Sequence, residues 1–230
     1  MAGTFILGET KVRPGTYFNI QKKGGNAAAG VMNGVTAVIF RADFGPLNEA
    51  IELSAEDGYE GTYGTALTTD AIKEAIAGGA KTIIACRVGN GGTQGSIKLQ
   101  DGESTDAVSI TAKYPGAKDF VVTVREKLSD STLKECIFYA GTTEFEKVEF
   151  TAGKDEAKGL VDALASSKNF KAEVIKSGDV TLENVAQKRF TKGTDPQVTN
   201  GDYSNAFKQV EAYEFNTICV DTEETSVHLL

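Results

Sequence analysis

Gly89-Asn90-Gly91-Gly92-Thr93-Gln94-Gly95 is the stretch whose residue types come nearest to a ligand site. Glycines packed this densely after an apolar strand can wrap phosphate oxygens in backbone amides. A phosphate cradle of that kind needs a helix directly behind it, whose N-terminal amides and dipole hold the anion. Here Ser96-Ile97-Lys98-Leu99-Gln100 alternates with period two, the pattern of a strand. No Gly-Lys-Ser or Gly-Lys-Thr follows either. A nucleotide-dependent enzyme built on Gly89–Gly95 is therefore the alternative reading, and an interdomain hinge with Gly89, Gly91 and Gly92 the preferred one.

Nucleophilic catalysis fares no better. A serine or cysteine nucleophile requires a histidine base and an orienting group, and the chain has one histidine, His228. It lies beside the C-terminus, where disorder is the usual expectation. No Gly-x-Ser-x-Gly elbow is present. Cys86, Cys136 and Cys219 sit in apolar strand contexts and read as buried structural thiols. Their odd number and wide spacing fit neither a disulfide frame nor a zinc site. Glu223-Glu224 is an adjacent pair whose side chains diverge on a helix or strand, so it reads as a solvated charge run. No catalytic residue, metal ligand or cofactor follows from the sequence.

Composition narrows the class further. With 230 residues and 40% apolar content the chain has enough material for real cores, and its 25 glycines suit a turn-rich α/β or α+β protein. A net charge of −8 argues against nucleic acid, which needs a basic surface. No apolar run approaches the roughly 18 residues of a membrane span, and Met1-Ala2-Gly3-Thr4-Phe5 lacks the basic and apolar regions of a secretory signal.

The elements that must position any site follow from periodicity. Val35 to Phe40 is a buried-type strand, Asp43-Phe44-Gly45-Pro46 a turn, and Ala50 to Leu53 a second strand. Ile72, Ala75 and Ile76 mark a helix capped by Thr69 or Asp70 and stopped at Gly78-Gly79, and Lys81 to Val88 a buried strand. Strand, helix, strand with short joints is a layered α/β core. After Gly89 the chain becomes β-rich: segments around Val108–Ala112, Phe120–Arg125, Leu133–Tyr139, Phe145–Phe150 and Ala172–Ile175 read as strands. Ala157, Leu160, Val161 and Leu164 form one helical stripe among them. Short strands with polar turns suggest a small sandwich or barrel. From Gly193 the core resumes. Asp202 reads as the cap of a helix carrying Tyr203, Ala206, Phe207 and Val210, which feeds a short buried strand at Phe215 to Val220.

The run Thr191 to Asp221, with its glycine turn, Asp202-Tyr203, amphipathic helix and Glu214-Phe215-Asn216 before a strand, resembles the contractile-tail sheath proteins of phages and phage-like particles. Lys11-Val12-Arg13-Pro14-Gly15-Thr16-Tyr17-Phe18-Asn19 resembles that family's N-terminal arm. Thr111-Ala112-Lys113-Tyr114-Pro115-Gly116 resembles the start of its inserted β-rich domain. The resemblance implies an α/β core of subtilisin-like fold without protease activity, an inserted β-rich domain and an extended arm. It implies subunits that form six-fold rings stacked around a tail tube, interlinked by arms and contracting to drive injection. The partners it implies are other sheath subunits, the tail tube protein, the baseplate and the tail terminator. The place it implies is the virion or a phage-like particle, with assembly in the bacterial cytoplasm.

On this reading residues 1–22 are the arm, with Lys11, Val12, Pro14, Gly15, Thr16, Tyr17, Phe18, Asn19 and Ile20 as its inter-subunit residues. Residues 23–89 begin the core, 90–191 form the insertion, and 192–230 resume the core, with Gly193 as the second hinge. Family members continue into further core and a tube-binding domain, so the core here is expected to be incomplete and the chain a fragment or a shortened sheath. A monomeric module that binds a ligand through its β insertion is the remaining alternative.

Overall fold

The computed structural model describes residues 34–64 and 69–229. The described residues belong to one compact unit. The arm residues Lys11 to Ile20 lie outside the described residues.

The first sheet has the order β11-β1-β3-β2. Its members are β1 (Val35–Phe40), β2 (Ala50–Ser54), β3 (Thr82–Arg87) and β11 (Thr217–Val220). β1 runs parallel to both β3 and β11, and β2 pairs antiparallel with β3. All six residues of β1 are buried because helices cover both faces of the sheet. α1 (Glu60–Tyr63) and α2 (Asp70–Ala77) pack with Val38, Phe40, Ile83 and Ala85 on one face. α4 (Asn200–Val210) and α5 (Thr225–His228) pack with Val35, Ala37, Ile39 and Ile84 on the other. A strand buried on two faces reads as a continuous apolar run, which is why Val35 to Phe40 is recognisable without alternation.

The remaining strands are β4 (Ser96–Gln100), β5 (Asp106–Ala112), β6 (Phe120–Lys127), β7 (Asp130–Ala140), β8 (Thr143–Thr151), β9 (Phe170–Val174) and β10 (Val185–Arg189). They make two antiparallel sheets, β4-β5-β9 and β10-β6-β7-β8. The stretch that contains β10 joins them, since Leu182 and Thr191 bridge to Asp101 and Ser96 at the edge of β4 while β10 pairs with β6. On the far side α3 (Glu156–Leu164) packs against β8 and β9. The result is a ring of strands closed by a helix, filled by Leu99, Val108, Ile110, Phe120, Val122, Phe138, Leu160 and Phe170. Closure of this kind leaves few open strand edges.

Three expectations need correction. The apolar run before Asp221 is not a buried strand: β11 lies at the edge of the sheet among the described strands, Ile218 is 40% exposed and Cys219 is exposed. Hydrophobic composition records what a strand is made of, whereas burial depends on whether a neighbour covers it. Asp202 is not the helix cap but the third residue of α4. Thr199 caps the helix, and the Asp202 carboxylate reaches back to accept the Thr199 amide and hydroxyl, both at 2.7 Å, a reciprocal capping box. His228 is not in a disordered end: it closes α5, which is held by the buried Val227.

Candidate functional site

A set of unusual interactions gathers where the first sheet meets the strand ring. Two stretches of chain cross this joint, residues 89–95 and 191–197, and they are laced together as a short antiparallel ladder. Asn90 and Gln197 exchange amide–carbonyl bonds at 2.8 and 3.0 Å, and Thr93 and Thr194 do the same at 3.1 Å each. Ser96 and Thr191 form a third pair at 3.0 and 2.8 Å. The glycines permit the two backbones to approach. Gly92 has φ +81° and a Cβ there would lie 2.7 Å from the Thr194 carbonyl oxygen. A Cβ on Gly193 would clash with the carbonyl oxygens of Thr93 and Gly116. Gly89 is held by Asn48, whose side-chain amide donates to the Gly89 carbonyl at 2.7 Å and whose oxygen accepts the Gly89 amide at 3.3 Å. Gly91 has open space around it. The sequence-predicted hinge residues Gly89, Gly92 and Gly193 are thus brought together, and the glycine loop leads into β4 with no helix behind it.

Phe44, in the turn that follows β1, enters the core of the strand ring. Its ring makes edge contacts with Tyr114, Phe120 and Phe145 at centroid distances of 5.5, 4.9 and 5.7 Å. On either side of it polar groups connect the same two parts. The Asp195 carboxylate accepts the Ala117 amide at 2.8 Å, and Asp43 pairs with Lys118 at 3.4 Å. Arg87, at the end of β3, is 0% exposed and has no carboxylate partner among the described residues. It donates to the carbonyls of Ala42 at 3.0 Å and Gly45 at 2.7 Å, leaving Nη2 without a described partner. Burial pulls its pKa down to about 10, with Asp195 and Asp43 acting in the opposite sense, so it remains a cation at neutral pH. Arg87 and Phe44 escape sequence reasoning. The only signals are a cation ending an apolar strand and a phenylalanine in a Gly-Pro turn where a polar residue is usual.

Burial also pushes the Asp43 carboxyl above the ordinary carboxylate range, against the pull of Lys118. A carboxyl whose pKa is raised by folding favours the folded state when protonated. That contribution is fully present below the unfolded value, about 3.9, and is lost as pH climbs through the raised folded value. Asp43→Asn is therefore expected to be more stable than the parent at pH 7 and indistinguishable from it at pH 3. Urea titrations at the two pH values check this; a variant less stable at pH 7 contradicts it.

A second cluster closes the ends of β1 and β11. Asp221 accepts the Arg41 amide at 2.7 Å, Arg41 Nε at 2.9 Å and the Tyr203 hydroxyl at 2.6 Å. Burial, then the Asp221 hydrogen bond, raises the Tyr203 phenol above its usual value. These bonds tie α4 to the sheet.

The other residues with reactive side chains are scattered. His228 Nε2 lies 2.8 Å from the Thr222 carbonyl oxygen. Burial pushes the Cys86 thiol up to about 12 and raises the Cys136 thiol as well. Cys219 is exposed, against the reading that gave all three as buried. A disulfide-exchange reagent at pH 8 should consequently titrate one thiol in the native protein and three in denaturant, with the native signal removed by Cys219→Ser. Among the described residues no group of three or more His, Cys, Asp or Glu is arranged to hold a metal ion. None of the described helices is long and apolar enough to cross a membrane.

The helix-covered mixed sheet, joined through a double backbone crossing to a ring of strands, is a fold that this chain shares with part of two solved sheath tail proteins. The sheath tail protein Lin1278 from Listeria innocua superposes with a TM-score of 0.63 at 23% identity, covering 86% of this chain and 42% of its own. The sheath tail protein DSY3957 from Desulfitobacterium hafniense gives 0.62 at 21% identity, covering 94% of this chain and 47% of its own. Among curated proteins, YqbK of Bacillus subtilis strain 168 is 24% identical over 233 residues, and XkdK of the phage-like element PBSX from the same strain is 23% identical over 241. Both alignments cover 96% of this chain and 48% of the relative, so the chain spans about half the length of the curated relatives it matches. No family model matches the chain. The resemblance to the contractile-tail sheath family read from the sequence is borne out by these likenesses.

Proposed function

We propose that the chain is a structural subunit of a contractile tail sheath, assembling as stacked six-fold rings around a tail tube and contracting to drive injection. The observation that carries this reading is the likeness to two sheath tail proteins across 86% and 94% of the chain. A relative from a phage-like element agrees with it. On this reading residues 23–89 and 192–230 belong to a subtilisin-like sheath core, 90–191 are an inserted β-rich domain, and residues 1–22 are an arm reaching a neighbouring subunit. The protein has no enzymatic role. Its partners are other sheath subunits, the tube, the baseplate and the tail terminator, and it resides in the virion or particle after assembly in the bacterial cytoplasm. The joint's backbone ladder and aromatic plug suit a part that transmits force better than one that turns over substrate. Gold-labelled antibody against residues 34–229, applied to purified tail particles, should decorate the whole length of the tail. Label confined to one end, or absent, contradicts the proposal.

A further inference from the structure

Leu128 is 93% exposed at the tip of the β6–β7 hairpin, where Leu128 and Ser129 make the two-residue turn between the paired Lys127 and Asp130. The exposed carboxylates of Glu126 and Asp130 flank it. At the other end of the strand ring lies a cleft of about 540 Å³. Ile51 and Leu53 of β2 with Tyr114 give it an apolar wall, and Lys113 and Lys168 outnumber the one carboxylate of its lining, Glu52. Lys113 donates to the Ser167 carbonyl, and neither lysine has an ion-pair partner among the described residues. The hairpin tip cannot reach this cleft in its own molecule. Phe120, at the start of β6, packs on Phe44 beside the cleft, and the seven residues from there to Lys127 extend roughly 24 Å at strand rise.

We infer that the Leu128 tip of one copy seats in the cleft of the next, a contact between two copies of this chain that deepens the sheath reading and rests on it. Three features point to this occupant. The carboxylates of Glu126 and Asp130 flank the apolar tip, where Lys127 is already paired with Glu149, and the cleft lining carries two lysines against Glu52, so the net charges are opposite. Cavities of about 150 Å³ accept a benzene ring, so the cleft has room for a leucine and its neighbours. An exposed apolar residue at one end of a molecule and a pocket for it at the other make a heterologous contact, which propagates into rings or helical arrays instead of closing as a dimer.

The test uses paired cysteines in a Cys219→Ser background. Leu128→Cys on one protein and Leu53→Cys on another, mixed under mild oxidation, should give a disulfide-linked dimer several-fold above either variant alone. Leu128→Asp should abolish the concentration-dependent rise in sedimentation coefficient that the parent shows, and Leu128→Met should retain it. Cross-linking no greater in the mixture than in the separate samples overturns the inference. So does self-association unaltered by Leu128→Asp, or a parent that sediments as a monomer at every concentration. Antibody decoration along tails without the cross-link removes this contact and leaves the sheath reading intact. The cross-link without decoration does the reverse.

Discussion

Replacing Lys134 by methionine is expected to destabilise the fold by about 3–5 kcal/mol, the cost of leaving a buried charge without its partner. The side chains of Lys134 and Glu156 are 6% and 1% exposed and meet at 2.8 Å. Lys134 Nζ also donates to the Leu182 carbonyl at 2.7 Å. The Glu156 carboxylate accepts the amides of Gly153 and Leu182, each at 2.7 Å. One pair thereby joins β7, the first turn of α3 and the chain approaching β10, the three elements that close the strand ring. Glu156→Gln should fall in the same range, because it strands the ammonium. The double variant Lys134→Met/Glu156→Leu should lose less than the sum of the two single losses, since neither charge then remains unpaired. It should not recover fully, because the Gly153 and Leu182 amides lose their acceptor. Chemical denaturation of the four proteins measures this cycle. Single losses below about 1 kcal/mol contradict the assignment of a dry, fully satisfied pair.

The second large effect is expected at Phe44. Truncating a fully buried phenylalanine costs about 3–5 kcal/mol through lost transfer energy and the cavity left behind. Phe44→Ala removes three aromatic contacts at once and empties the centre of the joint. Because Phe44 belongs to the chain after β1 but packs among residues of the ring, the loss should also uncouple the two parts. Protease cleavage near Gly91, the joint glycine with open space around it, should become faster in the variant while the parent resists. Phe44→Leu, which keeps much of the volume, should lie between. A variant as stable and as protease-resistant as the parent contradicts the role given to this side chain.

Sequence period located most of the elements because their environments are regular. Val35 to Phe40 and Ile83 to Val88 are buried, and α2, α3 and α4 each turn one apolar stripe inward. β10 left no such trace. Val-Ala-Gln-Lys-Arg has no apolar alternation, its ladder with β6 is broken by a register shift, and Gln187 takes φ +49°. The depth of β11 was illegible for another reason. Thr217 to Val220 is apolar enough for an interior strand, yet only β1 flanks it among the described strands. The joint was legible as a place and not as a mechanism. Glycines at 89, 92 and 193 announce close backbone approach. That the two stretches pair with each other, that Asn48 fixes Gly89, and that Phe44 and Arg87 fill the space beneath are facts of tertiary contact between residues far apart in the chain.

We propose that this fold serves as the repeating unit of a tail sheath. Helical reconstruction of purified tail particles by electron cryo-microscopy tests it most directly. The predicted map shows six equivalent subunits per ring around a tube, each accommodating the four-stranded sheet and the strand ring of residues 34–229 as one body. A map whose sheath density has no place for that body, or particles that lack the chain altogether, contradicts it.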